Sequence, residues 1–171
     1  VRLDELMEKN QPDGTYAGAY FTKATVDGVT KFGKENNIPN MISPSKLHCT
    51  ILYSRKYLPE YKACGKYEKP LVGKPVEFDI WKTSPSDPKE DKTNCLVLKF
   101  ECDDLVARHK DLMKEHGATF DYDEYRPHLT LSYNVGDLNI KDLPMYDGPI
   151  EIEEEYQEDL DLNWAKSKGT K

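Results

Sequence analysis

A chain of 171 residues is long enough to bury the core of one domain without help from metals or disulfides. Its net charge of −7 excludes the broad basic face of a nonspecific duplex-DNA binder, although a small anionic substrate needs only a local basic patch. The chain holds no apolar run long enough to span a bilayer and no leader-like segment, so a soluble cytoplasmic protein with no membrane partner is expected.

In chain order, residues 1–13 hold a short amphipathic stretch (Leu3, Leu6, Met7) that reads as a peripheral helix or arm. Thr15 to Phe21 reads as a strand, and Thr22 offers an N-cap to a helix running to about Asn36 with Val26, Val29 and Phe32 on its buried stripe. Leu47 to Tyr53 is an apolar strand. The segment Ser54 to Lys74 is basic, with Arg55, Lys56, Lys62, Lys66, Lys69 and Lys74 against Glu60 and Glu68, and is expected to be a loop. Its interleaved Tyr57, Tyr61 and Tyr67 suit a lid that contacts nucleobases, whereas the plainer reading is a solvated surface.

Val76 to Lys82 alternates, with Val76, Phe78 and Ile80 facing inward and Glu77, Asp79 and Trp81 outward, as a half-buried strand does. The polar run Thr83 to Asn94 is a surface connection. Cys95 to Cys102 is a further strand, after which Asp103 or Asp104 caps a helix that buries Leu105, Leu112 and Met113 and stops at Gly117. Leu129 to Tyr133 and the alternating run from Ile150 to about Leu162 complete the elements.

Strand, helix, strand, strand thus occurs twice. The plan predicts a single α+β domain over 1–171, with two pseudo-symmetric lobes of antiparallel sheet, outer helices and a central groove. Lobe one covers about 14–82 and lobe two about 94–165.

Two strings stand at matched places in this plan: His48-Cys49-Thr50 and His128-Leu129-Thr130, 80 residues apart. On a strand, residues i and i+2 share a face, so each string projects an imidazole beside a hydroxyl. Two such pairs across a groove supply an acid, a base and a cradle for an anion. With four histidines and ten threonines, roughly a quarter of one His-x-Thr string is expected by chance, so two in matched strands are informative. The plainer alternative is two core histidines beside β-favouring threonines.

The remaining candidates carry less. His109 and His116 lie seven apart on the second helix without a third ligand, Asp121 and Asp123 lack a calcium-loop pattern, and no metal or other cofactor is expected. The four cysteines show no metal-binding spacing, and Cys49 points away from the His48 face. In the last strand Glu154 and Glu158 share the mostly apolar parity, where a carboxylate either pairs with a lysine or receives the edge of a base. Trp164 and Tyr16 are candidate stacking surfaces.

With these strings and the flanking blocks Asn36-Asn37-Ile38-Pro39-Asn40, Ser45 to Pro59, Arg126 to Tyr133 and Asp161-Leu162-Asn163-Trp164, the chain resembles the 2H phosphoesterase superfamily. Within it, the resemblance is closest to the phage anti-CBASS nucleases that act on cyclic oligonucleotides. It extends over roughly Gly14 to Ala165. It implies a 2H phosphoesterase-like fold, catalysis by His48, Thr50, His128 and Thr130, and substrate contacts from Tyr16, Glu158 and Trp164. The implied partner is a cyclic di- or oligonucleotide, cut at a 3′-5′ bond without a metal, in the host cytoplasm if the gene is a phage's. Two alternatives stand beside it: a 2′,3′-cyclic phosphodiesterase acting on RNA ends, and a sponge that holds cyclic nucleotides intact.

Overall fold

The computed structural model describes residues 12–83 and 92–160. Six strands and two helices follow in the order β1 (Gly14–Phe21), α1 (Lys23–Glu35), β2 (His48–Ser54), β3 (Gly65–Lys82), β4 (Asn94–Glu101), α2 (Asp103–His116), β5 (His128–Ser132) and β6 (Ile150–Leu160). The peripheral arm up to residue 11, most of the polar connection and everything beyond Leu160, Trp164 included, lie outside the described residues.

Local chemistry accounts for the helix ends. Thr22 caps α1 by accepting the Thr25 N–H, and Val29 and Phe32 are buried below it. At α2 the N-cap is Cys102, without a side-chain bond, rather than Asp103 or Asp104. The two aspartates occupy the first turn instead, where their charge faces the positive end of the helix dipole. Gly117 ends α2 in the left-handed conformation at φ 61°, as a glycine there permits.

The strands form one antiparallel sheet in the order β2-β1-β6-β3-β4-β5. Exchanging the first three strands with the last three maps this order onto itself. Each outer triplet takes its inner strand from the other half of the sequence, since β6 pairs with β1 and β3 pairs with β4. The strands that carry the two histidines therefore occupy the two outer positions. They also pack against one another. One face of the sheet is covered, with Ala17, Ile51, Leu96, Leu98, Leu129, Ile150 and Ile152 packed below α1 and α2.

Two expectations are corrected here. The basic segment is not one long loop: from Gly65 it runs into β3, an 18-residue strand that continues through Lys82. Of its tyrosines, Tyr61 is buried and Tyr67 packs against the core, so neither is free to stack on a base. The second correction concerns β6. Its register against β1 moves from Tyr20↔Glu154 to Phe21↔Ile152, leaving Glu153 as an extra residue. This bulge reverses the alternation, so Glu155 turns inward with Ile150 and Ile152, while Glu154, Tyr156 and Glu158 take the opposite face.

Glu155 is 1% exposed, and it is held by a network that also explains why Tyr61 turns inward. Arg108 of α2 donates through Nε at 2.8 Å and Nη2 at 2.9 Å, the Tyr61 hydroxyl donates at 2.8 Å, and the Cys64 N–H donates at 3.0 Å. Burial alone would raise the Glu155 pKa, but these donors outweigh it and hold the carboxyl below its ordinary value. The contribution of Glu155 to stability is therefore complete above the ordinary glutamate range and is lost as pH falls through its depressed pKa. Replacing Glu155 with Ala strands the Arg108 charge, and denaturant unfolding at neutral pH is expected to show a loss of about 3–5 kcal/mol. A midpoint unchanged from the parent protein would contradict this role.

Candidate functional site

The open face of the sheet is built around β1, whose register sets what faces what. Thr50 lies opposite Gly18 and His48 opposite Tyr20, while on the other side of β1 Tyr156 lies opposite Gly18 and Glu158 opposite Tyr16. Gly18 is required here, since a Cβ would come within 2.6 Å of the Tyr156 ring. The space it leaves lets Tyr156 stack on Tyr20, with ring centroids 4.2 Å apart. The Tyr16 hydroxyl meets Thr50 Oγ1 at 2.9 Å, and burial raises the Tyr16 pKa to about 12, so this phenol keeps its proton. These side chains line a groove of about 720 Å³, together with Glu158 and a wall formed by Met41, Ile42, Lys46 and Tyr133.

His128 and Thr130 stand on β5, beside rather than in the lining of that groove. His128 lies opposite Lys99 of β4, and the Trp81 ring meets its imidazole edge-on at 4.5 Å. Trp81 is itself fixed, donating its indole N–H to Asp79 at 2.9 Å, and Lys99 pairs with both Glu77 and Asp79.

Both imidazoles are oriented in the same way. His48 Nδ1 lies 2.9 Å from the Lys46 carbonyl and His128 Nδ1 lies 3.0 Å from the Arg126 carbonyl, in each case two residues upstream. A carbonyl can only accept, so Nδ1 must carry the proton, and Nε2 of each neutral ring is left with a lone pair. Desolvation lowers the pKa of His128, the charge of His48 lowers it further, and the bond to Arg126 opposes both only in part. Cys49, between His48 and Thr50, points into the core as alternation requires, and burial pushes its thiol up to about 12.

The structure thus brings Tyr16 and Glu158 to the same groove as His48 and Thr50, with His128 and Thr130 on β5, which packs against β2. Glu154 shares the face of Glu158. Tyr20, Tyr156, Trp81 and Lys99 join them and were not singled out from sequence. Parity held a signal for Trp81, which shares a strand face with Glu77 and Asp79. His109 is taken up by packing, bonded to the Ile51 carbonyl at 2.8 Å and stacked on Tyr125, and among the described residues no cluster of three or more His, Cys, Asp or Glu is poised to hold a metal. No helix among the described residues is long and apolar enough to cross a membrane.

Comparison with known proteins gives one answer. Residues 13–167 match the family described as anti-CBASS protein Acb1. The chain is 35% identical over 153 residues to such a protein of Salmonella phage S16, an alignment covering 90% of this chain and 92% of that one. It is 34% identical to that of Enterobacteria phage T4, with 92% and 95% covered, and 33% identical to that of Vibrio phage KVP40, with 96% and 97% covered. On a match that takes in nearly every described element, the chain belongs to the anti-CBASS protein Acb1 family.

Proposed function

We propose that this protein is a metal-independent phosphodiesterase of the 2H type that cuts a 3′-5′ bond of a cyclic dinucleotide such as 3′,3′-cyclic GMP-AMP and so disables CBASS signalling. The observation that carries this reading is the paired imidazole geometry, two histidines on strands that pack against one another, with the same ring nitrogen tied to the backbone. The family name of its relatives supplies the anti-CBASS context.

In the proposed reaction the ribose 2′-hydroxyl attacks phosphorus. His128, with its pKa lowered by burial and by its neighbour, begins neutral and removes the hydroxyl proton at Nε2. The bond from O2′ to phosphorus forms as the bond to O5′ breaks, and His48 delivers a proton from Nε2 to O5′. Each positioned proton transfer contributes about 10² to 10⁴ in rate. Thr50 and Thr130 donate to the nonbridging oxygens as charge gathers there. Tyr16 donates to Thr50 Oγ1, the phenol being the stronger donor of the pair, which leaves the threonine proton free for phosphate. Water then opens the 2′,3′-cyclic phosphate with the two histidines in exchanged roles. Tyr16, Tyr20, Tyr156 and Glu158 offer stacking faces and a carboxylate to the bases, and Trp164 is proposed as a further stacking surface.

Turnover of a cyclic dinucleotide by His48→Ala and by His128→Ala is expected to fall by at least about 100-fold each. Near-normal turnover by either variant would overturn the assignment, and faster turnover of an RNA bearing a terminal cyclic phosphate would favour the RNA-end alternative. Replacing Thr50 with Val, which keeps the shape and removes the hydroxyl, should lower kcat by about 10² with little change in KM. A loss confined to KM would instead make Thr50 a binding group.

The pH dependence of kcat/KM should be bell-shaped. The base must be unprotonated, so the rate rises as pH passes through the lowered pKa of His128, and it falls again when the acid loses its proton. In His128→Ala the acidic limb should disappear from the residual activity. Its persistence would move the starting base elsewhere.

A further inference from the structure

Two buried serines end the histidine strands, and neither has a part in the reaction proposed above. Ser54 closes β2 and Ser132 closes β5, and both are 0% exposed. Each hydroxyl accepts the N–H two residues downstream at 3.2 Å, from Lys56 and from Asn134 respectively. Each also reaches a distant segment. Ser132 Oγ donates to the Pro39 carbonyl at 2.7 Å, and Ser54 Oγ accepts the Thr119 N–H at 3.1 Å.

Pro39 and Thr119 occupy equivalent places. Pro39 lies in the connector from α1 to β2, seven residues before Lys46, whose carbonyl holds His48. Thr119 lies in the connector from α2 to β5, seven residues before Arg126, whose carbonyl holds His128. Pro39 and Thr119 are 80 residues apart, the same interval that separates the two histidines.

We infer that Ser54 and Ser132 are positioning residues that act crosswise, the serine of each histidine strand anchoring the connector that orients the histidine of the other strand.

Neighbouring bonds reinforce each anchor. On the first connector, the Ile42 N–H donates to the Leu131 carbonyl at 2.8 Å, Met41 bridges to Ser132, and Asn40 Nδ2 donates to the Asn134 carbonyl at 2.8 Å. On the second, the Arg55 N–H donates to Thr119 Oγ1 at 2.7 Å, and Arg55 pairs with Asp121 at 2.9 Å. The residues just past the end of each strand thus grip the connector that leads to the other. The polarity of the two serine bonds differs for a chemical reason: proline has no N–H to give, so at Pro39 only the carbonyl is available and the serine must donate. A histidine oriented through Nδ1 is as well placed as the carbonyl it is bonded to, so slack in a connector becomes a wrong tautomer or a tilted ring.

The inference rests on the acid–base reading of the site, but its test does not require turnover. Ring-nitrogen NMR of the full chain reports the tautomer of each histidine separately. In Ser132→Ala, His48 should lose part of its Nδ1–H population while His128 stays as in the parent, and in Ser54→Ala the reverse should hold. Turnover should fall by about 10- to 100-fold in each variant, the scale of a small misplacement in an active site. Where an alanine variant does not fold, Ser132→Cys or Ser54→Cys leaves a slightly larger side chain that is a weaker donor and a weaker acceptor, and is read in the same way. Equal disturbance of both histidines, disturbance of the serine's own strand partner alone, or no change in either would overturn the inference. If instead the crosswise pattern holds while His48→Ala and His128→Ala remain active, the positioning stands and the proposed reaction fails.

Discussion

The hydrogen bond from each histidine Nδ1 to the carbonyl two residues upstream is the constraint on which the rest of the site depends. It is local, yet it needs a particular backbone at the entry to each strand. On the first strand the carbonyl belongs to the end of the 3-10 turn Pro44–Lys46. On the second, Pro127 disfavours a helical Arg126, and the Pro127 carbonyl is itself tied to the Phe100 N–H of β4 at 3.0 Å. Two different turns thus deliver the same bond at the same offset.

Symmetry of the scaffold does not extend to the surroundings. His48 opens onto a tyrosine-lined groove, whereas His128 lies against Trp81, opposite a lysine that is neutralised by two carboxylates. Burial, with a smaller contribution from the charge of His48, then lowers the pKa of His128. An acid–base pair needs its members in opposite protonation states, and dissimilar environments are how one kind of side chain fills both roles. In the proposed reaction it is this asymmetry, not the repeat, that decides where the first proton goes.

Much of this is legible in the sequence. The His-x-Thr strings, their 80-residue spacing, the N-cap at Thr22 and the stop at Gly117 each follow from local rules, and the structure agrees with them. What was not legible depends on partners distant in sequence. The extra residue at Glu153 exists only in relation to β1, so alternation read along β6 alone puts Glu154 and Glu158 on the apolar parity, whereas it is Glu155 that turns inward. The run Gly65 to Lys74 is charged and proline-bearing, and it becomes strand because β6 supplies a neighbour for its first residues and again for Leu71 to Gly73. Alternation puts Trp81 on the same face as Asp79, but nothing near it in sequence says that His128 will pack beside it. The crosswise contacts of Ser54 and Ser132 span 65 and 93 residues and carry no local signature.

The central claim is that two imidazoles cut a cyclic dinucleotide by way of its own 2′-hydroxyl. The most direct measurement is chromatography, after denaturing the protein, of 3′,3′-cyclic GMP-AMP incubated with it in chelator, alongside the analogue that lacks both 2′-hydroxyls. The account predicts conversion of the first to linear products and recovery of the second unchanged. Recovery of the first intact, or equal cleavage of both, would contradict it.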